Sequence, residues 1–210
     1  MFTQKKLPIL PLLVLLLFTI VKAEEPALCK KIRSMYTGSK TITTDFEQSI
    51  FWTVREKTTR KKGALVIAPG NKFNVNLSDE TLVSDGTTYW QYSKKDNQVV
   101  IRNVKDIDLA SLPANILSGF LNDYTFKEKE QKGKITTLEW IADSSKKSSN
   151  HNVSLVVITK TGIVQSLSFT DENDNTHTYR FKNTVFDKSV PEKTFTFKVP
   201  ADAHIVDNRS

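Results

Sequence analysis

From Thr41 onward the chain alternates apolar and polar residues, rich in Val, Ile, Thr, Phe and Tyr, and turn residues interrupt the alternation at short intervals. A period of two is the signature of antiparallel strands with one apolar face and one wet face. Residues 45–50 open the series, and residues 63–68 run into Pro69-Gly70-Asn71, where the chain reverses and residues 72–77 leave. Residues 82–84 and 88–92 flank Asp85-Gly86, a strong hairpin signal. The texture continues through residues 98–103, 124–129, 134–142, 152–159, 163–170, 177–185 and 195–199. Turns stand at Gln131-Lys132-Gly133, at Lys160-Thr161-Gly162 and over residues 171–175. The expected architecture is a mainly β meander of about eleven strands, which must curl, close or stack to hide its edges.

Two segments break this pattern. Residues 26–36 place Leu28, Ile32 and Met35 at helical spacing after a proline suited to a first turn. Residues 108–121 do the same with Leu109, Leu112, Ile116 and Phe120, widened by Leu117 and Leu121, and Pro113 predicts two short helices or a kinked one. Short helices with a broad apolar stripe, inserted midway through a meander, have to cover an apolar surface. The inner face of the sheet is the one available.

The first 23 residues have the three-part form of a secretory signal: Lys5 and Lys6, an apolar run from Leu7 to Val21, and Ala23 at the cleavage position. The run is shorter than the ~20 residues a membrane-spanning helix needs. We expect cleavage after residue 23 and one exported domain over residues 24–210. A lone cysteine, Cys29, makes no internal disulfide, so packing must supply the stability. Three of the 30 basic residues leave with the signal, and 27 against 23 acidic residues is a net of +4, too mild for a nucleic-acid footprint. The basic run 55–62, beside Phe51 and Trp52, is expected to be a solvated hairpin tip.

Catalysis needs a nucleophile with a base and an orienting group, or a metal with three or four ligands. The only mature histidines, His151, His177 and His204, are far apart and lack Cys or carboxylate partners at ligand spacing, which predicts strand-end or surface imidazoles and no enzyme. Residues 171–175 open like a calcium loop, but Thr176 and Lys182 occupy the positions where glycine and a bidentate glutamate are required, so a hairpin tip is expected. The seven glycines form no phosphate-cradling motif. Neither a metal nor a cofactor is expected.

In order and spacing, the segments resemble the outer-membrane lipoprotein carrier (LolA) family. The resemblance rests on Phe46-x-Gln48, then Gly63-x-Leu65 running to Pro69 and Lys72-Phe73. It continues through Ser84-Asp85-Gly86-x-x-x-Trp90-x-Tyr92, Gln98-Val99, the helical patch around Pro113 and Phe195-x-Phe197-x-x-Pro200. It implies an incomplete, strongly curved antiparallel β-barrel with a lid of short α-helices over an apolar concave face. It also implies a monomeric periplasmic chaperone that accepts the acyl chains of lipoproteins from an inner-membrane lipoprotein-releasing ABC transporter and delivers them to an outer-membrane receptor or the outer membrane. Such a groove would be dry and wide, with no required polar contact. Phe46, Leu65, Ile67, Phe73, Val75, Trp90 and Tyr92 are expected to line it, and Leu109, Leu112, Ile116, Leu117 and Phe120 to form the underside of the lid. Alternation fixes relative facing only, so the set on any one strand can be turned outward.

One departure concerns how the lid is held. The family often has an arginine at the end of the strand before the proline, where this chain reads Ile67-Ala68-Pro69; Lys72 and Arg102 are candidate replacements. The alternative function is an envelope lipid- or lipoprotein-sensing module with the same half-barrel. A carbohydrate-binding sandwich, with Trp52, Trp90 and Trp140 as flat exposed platforms, is a third reading.

Overall fold

A computed structural model describes residues 25–107, 119–121, 124–141 and 150–209. The elements are α1 (Ala27–Gly38), β1 (Ile42–Trp52), β2 (Lys57–Ala68), β3 (Lys72–Leu77), β4 (Glu80–Asp85), β5 (Thr88–Ser93) and β6 (Gln98–Asn103). They continue with β7 (Thr125–Lys132), β8 (Ile135–Ile141), β9 (His151–Ile158), β10 (Val164–Thr170), β11 (Thr176–Phe186) and β12 (His204–Asp207). Residues 119–121 are helical. All twelve strands belong to one sheet, in the order β12-β6-β5-β4-β3-β2-β1-β11-β10-β9-β8-β7. Neighbours pair antiparallel except β12, which lies parallel to β6. The two ends, β12 and β7, do not pair, so the barrel is open.

One continuous cluster of buried apolar side chains draws on β1 to β5 and on β7 to β11. Strands more than a few places apart in a sheet share one core only when the sheet curls. The alternating sequences supply it: β9 and β10 turn Val153, Leu155, Val157, Val164 and Leu167 inward, each fully buried. Helix α1 lies on the concave face, with Cys29, Ile32 and Tyr36 buried along one stripe. Gly162, in the β9–β10 turn, would place a Cβ 3.3 Å from Ile32. The Tyr36 hydroxyl accepts a hydrogen bond from the Val164 backbone N–H at 3.0 Å, and its ring meets Phe186 edge-on at 5.0 Å. Tyr36→Phe leaves that N–H buried without an acceptor, so equilibrium urea melts should show a loss of roughly 1–3 kcal/mol. An unchanged midpoint would mean that the hydroxyl does not hold α1 in place.

The convex face has its own layer. A 3-10 turn at Glu192–Phe195 buries Phe195, the Thr194 carbonyl accepts from Asn74 Nδ2 at 2.7 Å, and Lys72 pairs with Glu192. Farther along, Phe197 packs on Tyr92 at 5.6 Å, and Asn97 Nδ2 donates to the Asp202 carbonyl at 3.0 Å. The segment then joins the sheet as β12. The strand expected over residues 195–199 is therefore corrected: those residues cross the convex face without strand pairing.

The basic run is also only partly a tip. A 3-10 turn at Thr53–Arg55 makes the reversal, and Lys57 to Lys62 are the exposed first half of β2.

Candidate functional site

The concave column of the central strands follows from register. β1 and β11 oppose Ile42 to Phe186, Phe46 to Phe181, Gln48 to Tyr179 and Ile50 to His177. Phe46, Tyr179 and Phe181 belong to the concave core, and the pleat carries Gln48, Ile50 and His177 to the same face. Phe46 fits because Gly63 lies opposite it and has no side chain. Leu65, Phe73 and Val75 are buried in the same cluster, and Ile67 packs against it.

Trp90 and Tyr92 are placed differently from the expected groove set. Tyr89 joins the concave core, so the pleat sends its neighbour Trp90 to the convex face, opposite Val83 and Ile101. Tyr92 follows, under Phe197. Lys72 is engaged on that face by Glu192, which removes it as a holder of the lid; Arg102 lies opposite Tyr89 on the concave side. Among the expected lid residues, Phe120 is buried on the concave face, whereas Leu109, Leu112, Ile116 and Leu117 lie outside the described residues.

Phe120 belongs to an aromatic array that sequence alone does not assemble. Trp140 meets Tyr124 at 4.9 Å, Tyr124 meets Phe120 at 4.8 Å, and Phe120 meets Phe169 at 4.8 Å. Phe169 stacks on His177 at 4.8 Å and on Tyr179 at 6.5 Å, and Tyr179 stacks on Phe181 at 6.4 Å. Rings from β8, β10, β11 and the 119–121 helix thus form a continuous floor. The signal for part of it is the alternation His177, Tyr179, Phe181 on one strand. The three tryptophans do not form exposed platforms: Trp140 is in this array, Trp90 is convex, and Trp52 donates its indole N–H to Thr59 at 3.0 Å.

Polar groups interrupt the floor at one end. Gln48 Nε2 donates to the Tyr179 hydroxyl at 2.7 Å, and burial pushes that phenol up to about 12. His177 is a strand-end imidazole, as expected, and its Nε2 lies 2.9 Å from Asp171 Oδ2, which leaves it half-sheltered at the rim. Burial alone would raise the Asp171 carboxyl. The hydrogen bonds from His177, from the Asn175 backbone and side chain and from the Asn173 N–H outweigh it, and hold the group at about 2. A depressed carboxyl contributes stability above its ordinary value of ~4 and loses that contribution as pH falls toward the folded value. Urea midpoints should therefore drop between about pH 4 and pH 2, and Asp171→Asn should be less stable at neutral pH and flatter across that window. Parallel acid limbs for the two proteins would contradict this role.

The concave core is built of aliphatic and aromatic side chains. Burial pushes the Cys29 thiol up to about 11, which keeps it protonated and unreactive at neutral pH. Among the described residues no three potential ligands cluster as a metal site, and no helix is long and apolar enough to cross a membrane.

Comparison with known proteins agrees with this description. The family model described as outer membrane lipoprotein carrier protein LolA matches residues 37–198. An outer-membrane lipoprotein carrier protein of Chromobacterium violaceum is 28% identical over 179 residues, covering 84% of this chain and 85% of the relative. Among solved structures, an uncharacterized conserved protein from Thermus thermophilus matches with a TM-score of 0.53 at 13% identity, covering 85% of this chain and 98% of that one. A LolA superfamily protein from Nitrosomonas europaea matches with a TM-score of 0.43 at 10% identity, covering 83% of this chain and 99% of that one.

Proposed function

The chain belongs to the outer membrane lipoprotein carrier protein LolA family, and from that premise we propose that it is a periplasmic, non-enzymatic carrier that shelters the acyl chains of lipoproteins between the inner and outer membranes. The observation that carries the proposal is the aromatic floor on the concave face of an open barrel, with Phe120, which we assign to the lid, packed on it. Each methylene hidden from water is worth about 0.8 kcal/mol, so one long acyl chain gains on the order of 10 kcal/mol from such a surface. Phe120 covers part of the same surface, and cargo would take its place.

In this reading residues 1–23 are the cleaved export signal and residues 24–210 a single carrier domain acting as a monomer. Loading comes from an inner-membrane lipoprotein-releasing ABC transporter, and unloading goes to an outer-membrane receptor or to that membrane itself. Transfer needs only that each successive site bind the cargo better than the last. The groove set is Phe46, Leu65, Ile67, Phe73 and Val75, extended by Phe169, Tyr179 and Phe181. The lid comprises Leu109, Leu112, Ile116, Leu117 and Phe120.

The test is purification from the native envelope followed by mass spectrometry of whatever co-elutes, together with an assay for keeping an added triacylated lipoprotein in solution without detergent. Co-eluting lipoprotein and a stoichiometric soluble complex are expected. A lipid-free preparation that also fails to solubilise the lipoprotein would overturn the proposal.

A further inference from the structure

We infer that the groove contains a polar anchor, the Gln48–Tyr179 pair, that binds the carbonyl oxygen of an ester- or amide-linked acyl chain and so distinguishes an acyl group from plain hydrocarbon. The inference rests on the groove reading above and departs from a groove without polar contacts. Gln48 and Tyr179 face each other across β1 and β11 on the concave face, with Phe46 and Phe181 on one side of them and Ile50 and His177 on the other. Tyr179 is only 3% exposed, and its ring is stacked between Phe169 and Phe181.

The bond between the two uses one amide N–H and one lone pair of the phenol oxygen. With the phenol proton retained at neutral pH, the pair keeps the phenol O–H and the second amide N–H as donors, and no other partner for either residue occurs among the described residues. A buried donor without an acceptor is a standing cost, and a ligand that supplies one removes it. Two donors held side by side on neighbouring strands suit an oxygen with two lone pairs, which a carbonyl has. A free carboxylate is less well matched: the nearest concave cation by register, Lys61 opposite Gln48, already faces Asp79 at 3.6 Å.

Glycerol monolaurate and 1-O-dodecylglycerol share chain length and head group and differ by one carbonyl, so their competition against a fluorescent apolar probe isolates the anchor. The full mature protein should prefer the ester by about tenfold, the scale of one buried hydrogen bond. Tyr179→Phe, which keeps the ring, and Gln48→Leu should each bring the ester-to-ether ratio close to one, a pattern that a merely structural pair would not produce. Equal affinities in the unmodified protein would overturn the anchor and leave the groove standing. So would a preference that survives both substitutions, or laurate binding tighter than the ester and depending on Lys61. Failure to bind either glyceride would overturn the anchor and the groove together.

Discussion

Replacing Phe120 with aspartate should reduce retention of acylated cargo by at least tenfold while circular dichroism still reports an intact β-sheet. Phe120 is 4% exposed and sits 4.8 Å from both Tyr124 and Phe169, so a carboxylate there would be buried among aromatic rings. A buried unpaired charge costs several kcal/mol, and the short helical segment relieves it by lifting off the floor. In the loaded state the same carboxylate would face methylenes, so cargo does not repair the loss. The sheet survives because Phe120 is one side chain of a core cluster that also holds the fully buried Leu138, Leu155 and Leu167, and the strand pairing does not run through it. Phe120→Leu, which keeps an apolar lid, is the control and should retain cargo. Gel filtration of the carrier with a triacylated lipoprotein reads the outcome, and undiminished co-elution of the aspartate variant would remove Phe120 from the cargo surface.

Local patterns locate most of the strands because the signals there are local. Lys72–Leu77 and Gln98–Asn103 have the expected bounds, and the Asp85-Gly86 hairpin forms as its residues require: the Asp85 carboxylate accepts the N–H groups of Thr87 and Thr88. Helix α1 appears where Leu28, Ile32 and Met35 are spaced for it. Where local pattern and tertiary packing part company, the pattern misleads. Residues 195–199 alternate like a strand, yet Phe195 and Phe197 anchor an unpaired crossing of the convex face, and the real pairing comes later, after the Pro200–Ala203 turn, parallel to β6.

Facing is the other blind spot. Tyr89 and Trp90 are equally suited to a core, and only tertiary packing, with Phe197 set over the convex Tyr92, decides which goes inside. The Gln48–Tyr179 pair is illegible for a related reason, since the two residues are 131 positions apart and meet only through the β1–β11 register.

Gly63 is part of the motif by which the sequence resembles the family, and the fold gives it a steric reason. A Cβ at this position would lie 2.6 Å from the Asn76 carbonyl oxygen, 2.9 Å from Leu77 Cδ2 and 3.2 Å from the Phe46 ring. The ring and the leucine can shift. The carbonyl belongs to β3, which pairs with β2 through this very residue, and it moves only if the two strands part. Gly63→Ala should therefore destabilise the protein by roughly 2–4 kcal/mol, which for a chain of this size lowers the melting temperature by about 5–15 °C. Because the tightest contact is with backbone, adding Leu77→Ala should not restore it, and differential scanning calorimetry on the single and double variants separates the causes. Recovery of the melting temperature in the double variant would assign the strain to the leucine. Failure to recover, with Phe46 displaced from the groove, should also weaken cargo binding, since the ring that Gly63 admits lies beside the carbonyl anchor on the same column of the concave face.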